Sequence, residues 1–124
     1  MQQLANPPLA EGEIYIGAIG NQTGDVYHLV LLPGDNDDAP QLKQIEWAKS
    51  IGGDLPNKLE AAMLFAHVKS EFKPEWYWTS ETFVDLGDPD DTAWAWIQDF
   101  INGGQSFSRK FSVYRARAVR RLPI

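Results

Sequence analysis

Two stretches near the start of the chain alternate apolar residues with polar or small ones: 13–19 (EIYIGAI) and 26–32 (VYHLVLL). Successive side chains of a strand point to opposite faces, so this period of two predicts two β-strands. The residues between them, 20–25, include Gly20 and Gly24 and close the pair as a hairpin. Pro33-Gly34-Asp35-Asn36-Asp37-Asp38 then breaks the strand pattern. Beyond it the period lengthens. Leu42, Ile45, Ala48 and Ile51 recur at helical spacing. Asp38 can cap this helix with Gln41 at its third position, and Gly52-Gly53 ends it. Asn57 and Glu60 have the spacing of a capping box. They precede Leu59, Ala62, Met63, Phe65 and Ala66, and predict a second helix that fades before Pro74.

After Pro74 the period returns to two. Residues 75–81 (EWYWTSE) place Trp76, Trp78 and Ser80 on one face of a strand and Tyr77 and Thr79 on the other. Residues 82–92 (TFVDLGDPDDT) are an acidic loop, and 93–100 (AWAWIQDF) form another strand with tryptophan at alternate positions. Asn102-Gly103-Gly104 turns the chain so that 105–112 pairs back. A last strand covers 114–122 (YRARAVRRL), with Tyr114, Ala116 and Ala118 on one face and Arg115, Arg117 and Val119 on the other. Strand, strand, helix, helix and then antiparallel strands is the order of an α+β domain. Residues 1–11, with Pro7-Pro8, read as an arm or linker, and 12–124 as one domain.

Composition narrows the class. The chain has 124 residues, 44% of them apolar, with five Trp, six Phe and four Tyr, enough to bury one core. It has no cysteine, which excludes a disulfide scaffold, a thiolate zinc site and a cysteine nucleophile. Residues 1–10 lack a basic segment followed by an apolar one, so no signal peptide is expected, and no apolar run is long enough for membrane insertion.

Charge is unevenly placed. Residues 1–99 carry all 17 carboxylates against five lysines, whereas 100–124 carry Arg109, Lys110, Arg115, Arg117, Arg120 and Arg121 and no acid. A free basic tail would not interleave Phe107, Phe111, Val113, Tyr114, Val119 and Leu122 among its cations. The basic end is therefore expected to fold against the acidic part, and a net charge of −6 opposes nucleic-acid binding.

The chemistry of a catalytic site is missing. His28 sits in a strand and His67 in a helix, without a second histidine at metal spacing. Ser80 has no G-x-S-x-G around it, so a triad with His28 has no local support. Asp85, Asp88, Asp90 and Asp91 lack the spacing of an EF-hand, so no metal or other cofactor is expected. No catalytic residues are assigned, and the chain is expected not to be an enzyme.

Three runs carry a resemblance: W-Y-W-T-S-E at 76–81, A-W-A-W-I-Q-D-F-I-N-G-G at 93–104 and Y-R-A-R-A-V-R-R-L at 114–122. Together they resemble small bacterial and prophage domains with a C-type lectin fold, whose motifs are W-x-[ST]-S, A-W-x-x-x-F-x-x-G and V-R-x-V-R. W-A-K-S-I-G-G-D-L-P-N at 47–57 and the opening Y-I-G hairpin are similar to that family too. The same architecture occurs in the variable proteins of diversity-generating retroelements. The resemblance implies two helices packed on a mostly antiparallel twisted sheet, with the N- and C-terminal strands adjacent. Arginines of the last strand would then meet carboxylates, with Glu46, Asp54 and Asp99 as candidates. Asp88-Pro89-Asp90 resembles the proline-centred calcium triplet of sugar-binding members, but Trp96-Ile97-Gln98-Asp99 stands where they have W-N-D.

The resemblance also implies a recognition module, encoded by a phage or prophage, that binds a protein or a glycan through the 82–110 loop and hairpin. The candidate ligand-binding residues are Tyr77, Asp85, Asp88, Asp90, Trp96, Gln98, Phe107 and Arg109. A virion component and a protein of the host cytoplasm are both compatible with the sequence, and so is a homo-oligomer. A second reading is an intracellular accessory protein that inhibits a host protein through its acidic surface.

Overall fold

The computed structural model describes residues 5–124; the first four residues of the expected arm lie outside the described part. The fold is α+β, with two helices and two mostly antiparallel sheets. β1 (Ile14–Gly20) and β2 (Val26–Leu31) form the expected hairpin. β3 (Asn36–Ala39) precedes α1 (Gln41–Ser50), and α2 (Lys58–Val68) runs into a 3₁₀ turn at Lys69–Glu71. Then come β4 (Trp76–Thr82), β5 (Trp94–Asp99), β6 (Gln105–Arg109), β7 (Tyr114–Ala116) and β8 (Val119–Pro123).

The arginine-rich end is two strands where one was expected. β8 pairs antiparallel with β2 in a sheet ordered β1-β2-β8, while β7 lies in a five-stranded sheet ordered β3-β7-β4-β5-β6. The link 117–118 carries the chain from one sheet to the other, which replaces the single sheet of the sequence reading. The last strand does return beside the N-terminal hairpin, against β2, and Arg120 reaches the Pro8 carbonyl at 3.1 Å. Among the described residues, β4 and β7 form the one parallel pairing, at Tyr77 and Arg115.

β3 corrects the reading of 33–38 as a plain break, and Asp38 lies within it rather than capping α1. The N-cap of α1 is Pro40, without a side-chain hydrogen bond. Helix α1 also docks by an unexpected face. Leu42 is 65% exposed, whereas Gln41, Gln44 and Ala48 are buried. Gln44 donates through Nε2 to the carbonyls of Asp37 (2.8 Å) and Tyr114 (2.9 Å), and its Oε1 accepts from Asn36 (2.8 Å). Gln41 donates to the Thr79 carbonyl at 2.9 Å. These amides satisfy backbone groups of β3, β4 and β7, so burying them costs little. The capping box of α2 forms as its spacing predicts: the Asn57 side chain accepts from the Glu60 amide and the Glu60 carboxylate from the Asn57 amide, each at 2.8 Å.

Two apolar clusters form the core. One joins the small sheet to α2 through Leu29, Leu31, Leu64, Phe72, Tyr77, Phe100 and Val119. The other gathers Leu32, Ala48, Leu55, Trp78, Ala95, Ile97, Ala116 and Ala118 around the large sheet. Strand β4 is central, so Tyr77, Trp78 and Thr79 are all buried and its two faces are both covered. Gly53 marks a close approach of backbone to backbone: a Cβ there would sit 2.6 Å from the Val119 carbonyl oxygen and from Leu32 Cδ1. The adjacent Asp54 exchanges backbone hydrogen bonds with Val119 at 2.9 and 2.8 Å.

The arginines find partners within the fold. Arg121 meets Glu60 through two nitrogens at 2.6 and 2.7 Å, and Asp54 at 3.2 Å. Arg120 forms a fork with Glu13, both bonds 2.8 Å. Arg115 binds Asp35 at 2.8 Å and Asp37 at 2.8 Å, with Glu75 at 3.5 Å. Of the three expected carboxylates, then, Asp54 serves. Glu46 instead faces Lys43, and Asp99 accepts from the Ile101 amide. Arg117 takes no carboxylate among the described residues: it is buried, donates to the carbonyls of Glu71 and Leu32, and lies 5.2 Å from the Phe72 ring centre. Burial lowers its pKa. Arg115 and Arg117 therefore present no basic face to solvent.

Glu60 is fully buried. Burial raises its pKa, but hydrogen bonds from Arg121, the Asn57 amide and Tyr27 outweigh that, and the net shift is downward. Tyr27, which donates to Glu60 at 2.7 Å, is pushed up to about 12 by burial and by that bond. A carboxylate with a depressed folded pKa adds stability above its unfolded value of ~4.3, and that stability is lost as the pH falls through the folded value. The denaturation midpoints of wild type and Glu60→Gln should thus differ by a constant amount from about pH 6 to 8 and converge below about pH 4. Urea titrations across that range check it; a gap unchanged in acid would contradict it. Trp78, 1% exposed, also donates to the Ala39 carbonyl at 2.9 Å. Trp78→Ala should cost about 3–5 kcal/mol in the same assay, and an unaltered midpoint would remove Trp78 from the core.

Candidate functional site

The β5–β6 hairpin pairs residue for residue: Trp94 with Arg109, Trp96 with Phe107 and Gln98 with Gln105. Alternation buries Ala95 and Ile97 on the inner side and leaves Trp94, Trp96, Phe107 and Arg109 on the outer one. Phe83, the first residue after β4, folds back onto this side. Its ring stacks on Phe107 at 3.8 Å between centroids and 8° between planes, and meets Trp96 edge-on at 5.3 Å. Trp94 and Trp96 stand edge-on to Phe107 at 5.8 and 5.9 Å. Four aromatic side chains thus share one patch, and Phe107 is 43% exposed.

Cations cover part of it. Lys58 Nζ lies 3.6 Å from the Trp96 ring centre, and the Arg109 guanidinium carbon 4.4 Å from that of Trp94. Such contacts are worth about 0.5–1 kcal/mol each where water has access. Lys58 arrives from the first turn of α2, and its carbonyl accepts from Gln105 Nε2 at 2.8 Å, which ties the helix to the hairpin.

The acidic loop closes the other side. Asp91 accepts from the Ala93 amide at 2.9 Å and from Trp94 Nε1 at 3.1 Å, and so fixes the indole. Asp85 accepts from the Gly87 amide at 2.8 Å, and the Asp88 amide donates to the Asp85 carbonyl at 3.0 Å. Phe83, Asp85, Asp91, Trp94, Phe107 and Arg109 line a cavity of about 410 Å³. Asp88 and Asp90 stand exposed on the same loop.

Of the eight residues singled out in the sequence, the structure brings Asp85, Trp96, Phe107 and Arg109 into this patch, with Asp88 and Asp90 on its acidic rim. Tyr77 and Gln98 lie in the interior. Tyr77 packs against Phe72 and Phe100, its hydroxyl donating to Asp35 and accepting from the Lys73 amide, and burial raises its pKa. Gln98 braces the hairpin turn through the carbonyls of Asp99 (3.1 Å) and Gly104 (3.2 Å), and accepts from Gln105 at 2.8 Å. Phe83, Trp94, Asp91 and Lys58 belong to the patch and were not among the eight. Trp94 shares the parity of Trp96, a signal open to sequence reading; Lys58, brought in from a distant helix, gives none.

The remaining chemistry is dispersed. His28 shares a hydrogen bond with Tyr15 Oη at 2.8 Å, and the Ser80 amide and hydroxyl both point to the Pro56 carbonyl. Among the described residues, no group of three or more His, Asp or Glu side chains is placed to hold a metal ion, and no helix is long and apolar enough to cross a membrane. Compared with protein-family models and with curated protein sequences, the chain matches none.

Proposed function

We propose that this chain is a non-enzymatic recognition module with a C-type-lectin-like fold, of the kind phages and prophages encode, and that it binds a protein or glycan ligand through the 82–110 surface. The observation that carries the reading is the partly exposed cluster of Phe83, Trp94, Trp96 and Phe107, bordered by two cations and an acidic loop. Aromatic side chains give large contact area for little lost rotamer freedom and act as anchors of binding surfaces. Here Trp94, Trp96 and Phe107 stand on paired strands, and Phe83 is bonded to them through its amide to the Trp94 carbonyl. This holds the anchors in place before a ligand arrives and lowers the entropy cost of binding. The return of the last strand to the N-terminal hairpin and the Trp- and Arg-bearing strands support the lectin-like assignment.

Trp96→Ala and Phe107→Ala, each checked for folding by circular dichroism, test it. Ligand capture, from host-cell extract, whole cells or a glycan array, should fall at least tenfold in both, since one such anchor is worth roughly 1.4 kcal/mol or more. Folded variants that keep every ligand of the wild type would move the site elsewhere.

A further inference from the structure

Strand β6 is an edge of the large sheet, and its backbone can be followed bond by bond. At one end of its pairing with β5 the Lys110 amide donates to the Ala93 carbonyl; at the other the Asp99 amide donates to the Gly104 carbonyl, both at 2.8 Å. With the register unbroken from Trp94–Arg109 to Gln98–Gln105, the bonded pairs between those ends are 95/108 and 97/106. The carbonyls of Trp94 and Trp96 agree, since they turn to the β4 side and accept from the Phe83 amide and Thr79 Oγ1, each at 2.8 Å. Gln105, Phe107 and Arg109 therefore direct their amides and carbonyls away from the sheet. The Arg109 carbonyl accepts from the Ser112 amide at 2.9 Å. The amides of all three, and the carbonyls of Gln105 and Phe107, have no protein partner among the described residues.

Exposed edges are usually blunted by proline, a bulge, an inward charge or a covering segment, because a bare row of donors and acceptors invites another strand. β6 has no proline and no bulge, and Ser106, Phe107 and Arg109 are exposed. Its one charge, Arg109, lies over Trp94.

We propose that β6 accepts an extended segment of a partner protein as a sixth strand of the large sheet, and that this segment places a lysine or arginine in the cavity between Asp85, Asp91, Trp94 and Phe107. This rests on the surface proposed above and names its ligand class. A strand added beside β6 presents alternate side chains on the face of Phe107, over that cavity. The loop bordering it carries Asp85, Asp88, Asp90 and Asp91 against one lining cation, Arg109, which lies over Trp94, so charge complementarity still selects a cation. A second copy fits less well. Antiparallel pairing of β6 with itself about Phe107 sets Arg109 opposite Gln105 of the other copy, beside that copy's Lys58, and joins two chains of net charge −6. A glycan offers hydroxyls but not amides and carbonyls repeated at strand spacing.

The test compares Phe107→Ala with Phe107→Pro. Both lose the ring, and only the second also loses an outward amide; the ladder bonds belong to residues 106 and 108 and stay in place. A random heptapeptide library is selected against the full chain, and enriched peptides are measured by calorimetry. They should carry a basic residue at alternate spacing, bind Phe107→Pro at least tenfold more weakly than Phe107→Ala, and weaken as salt rises. Methylating alternate peptide amides should weaken binding to the wild-type chain at least tenfold, a result that does not depend on any variant folding. Failure to enrich any peptide, equal binding by the two variants, or indifference to methylation overturns the strand pairing. If Trp96→Ala abolishes capture of a glycan while no peptide binds, the surface stands and the strand proposal falls. If the alanine variants keep every ligand and no peptide is enriched, both fall.

Discussion

One carboxylate ties the fold together. Glu60 has no solvent exposure, yet it receives Arg121 from β8, Tyr27 from β2 and the Asn57 amide at the start of α2. Removing a charge of this kind from water costs several kcal/mol, and charge-assisted hydrogen bonds from several sides are what repay it. The arrangement fixes where the last strand can lie, because the guanidinium must reach a carboxylate held rigid by a helix cap. It also reaches the binding patch. Lys58 is the first residue after the Asn57 cap, and its side chain and carbonyl hold Trp96 and Gln105.

The arginine-rich terminus is thereby explained without a nucleic-acid partner. Each of its cations neutralises acid from the first 99 residues or, in the case of Arg117, solvates itself on carbonyls and a ring. Arg115 with Asp35 and Asp37 does for β7 and the β3 segment what Arg121 with Glu60 does for β8 and α2. The two pairs flank the link 117–118, so the chain's switch between sheets is clamped on both sides. The charge open to an outside partner at the aromatic patch includes the aspartates of the 85–91 loop, of which none forms an ion pair within 4.0 Å among the described residues.

Much of the architecture was legible in the sequence because local signals agreed with it. The first hairpin, the Asn57–Glu60 capping box and the alternating tryptophans of β5 each rest on a spacing that physics reads one way. The failures share a cause. Gln41 and Gln44 look like the solvent face of a helix and are instead buried, because backbone groups of β4 and of β3 and β7 accept from them there. The run 114–122 has one strand's periodicity but crosses two sheets, which depends on distant pairings that no local pattern encodes. At the site, residue type pointed to aromatic and acidic positions. Alternation alone did not show that Tyr77 and Gln98 are buried. Tyr77 lies on a central strand with both faces covered, and Gln98, on the face of Trp96, is bonded to Gln105, which in turn is tied to the start of α2.

The most direct measurement is a double-mutant cycle on Glu60 and Arg121, using Glu60→Gln and Arg121→Met at neutral pH with urea denaturation. If this pair is the junction described, each single change should cost about 3–5 kcal/mol. The double variant should then cost little more than either, a coupling on the order of 2 kcal/mol or more. Additivity of the two single changes to within about 0.5 kcal/mol would contradict it.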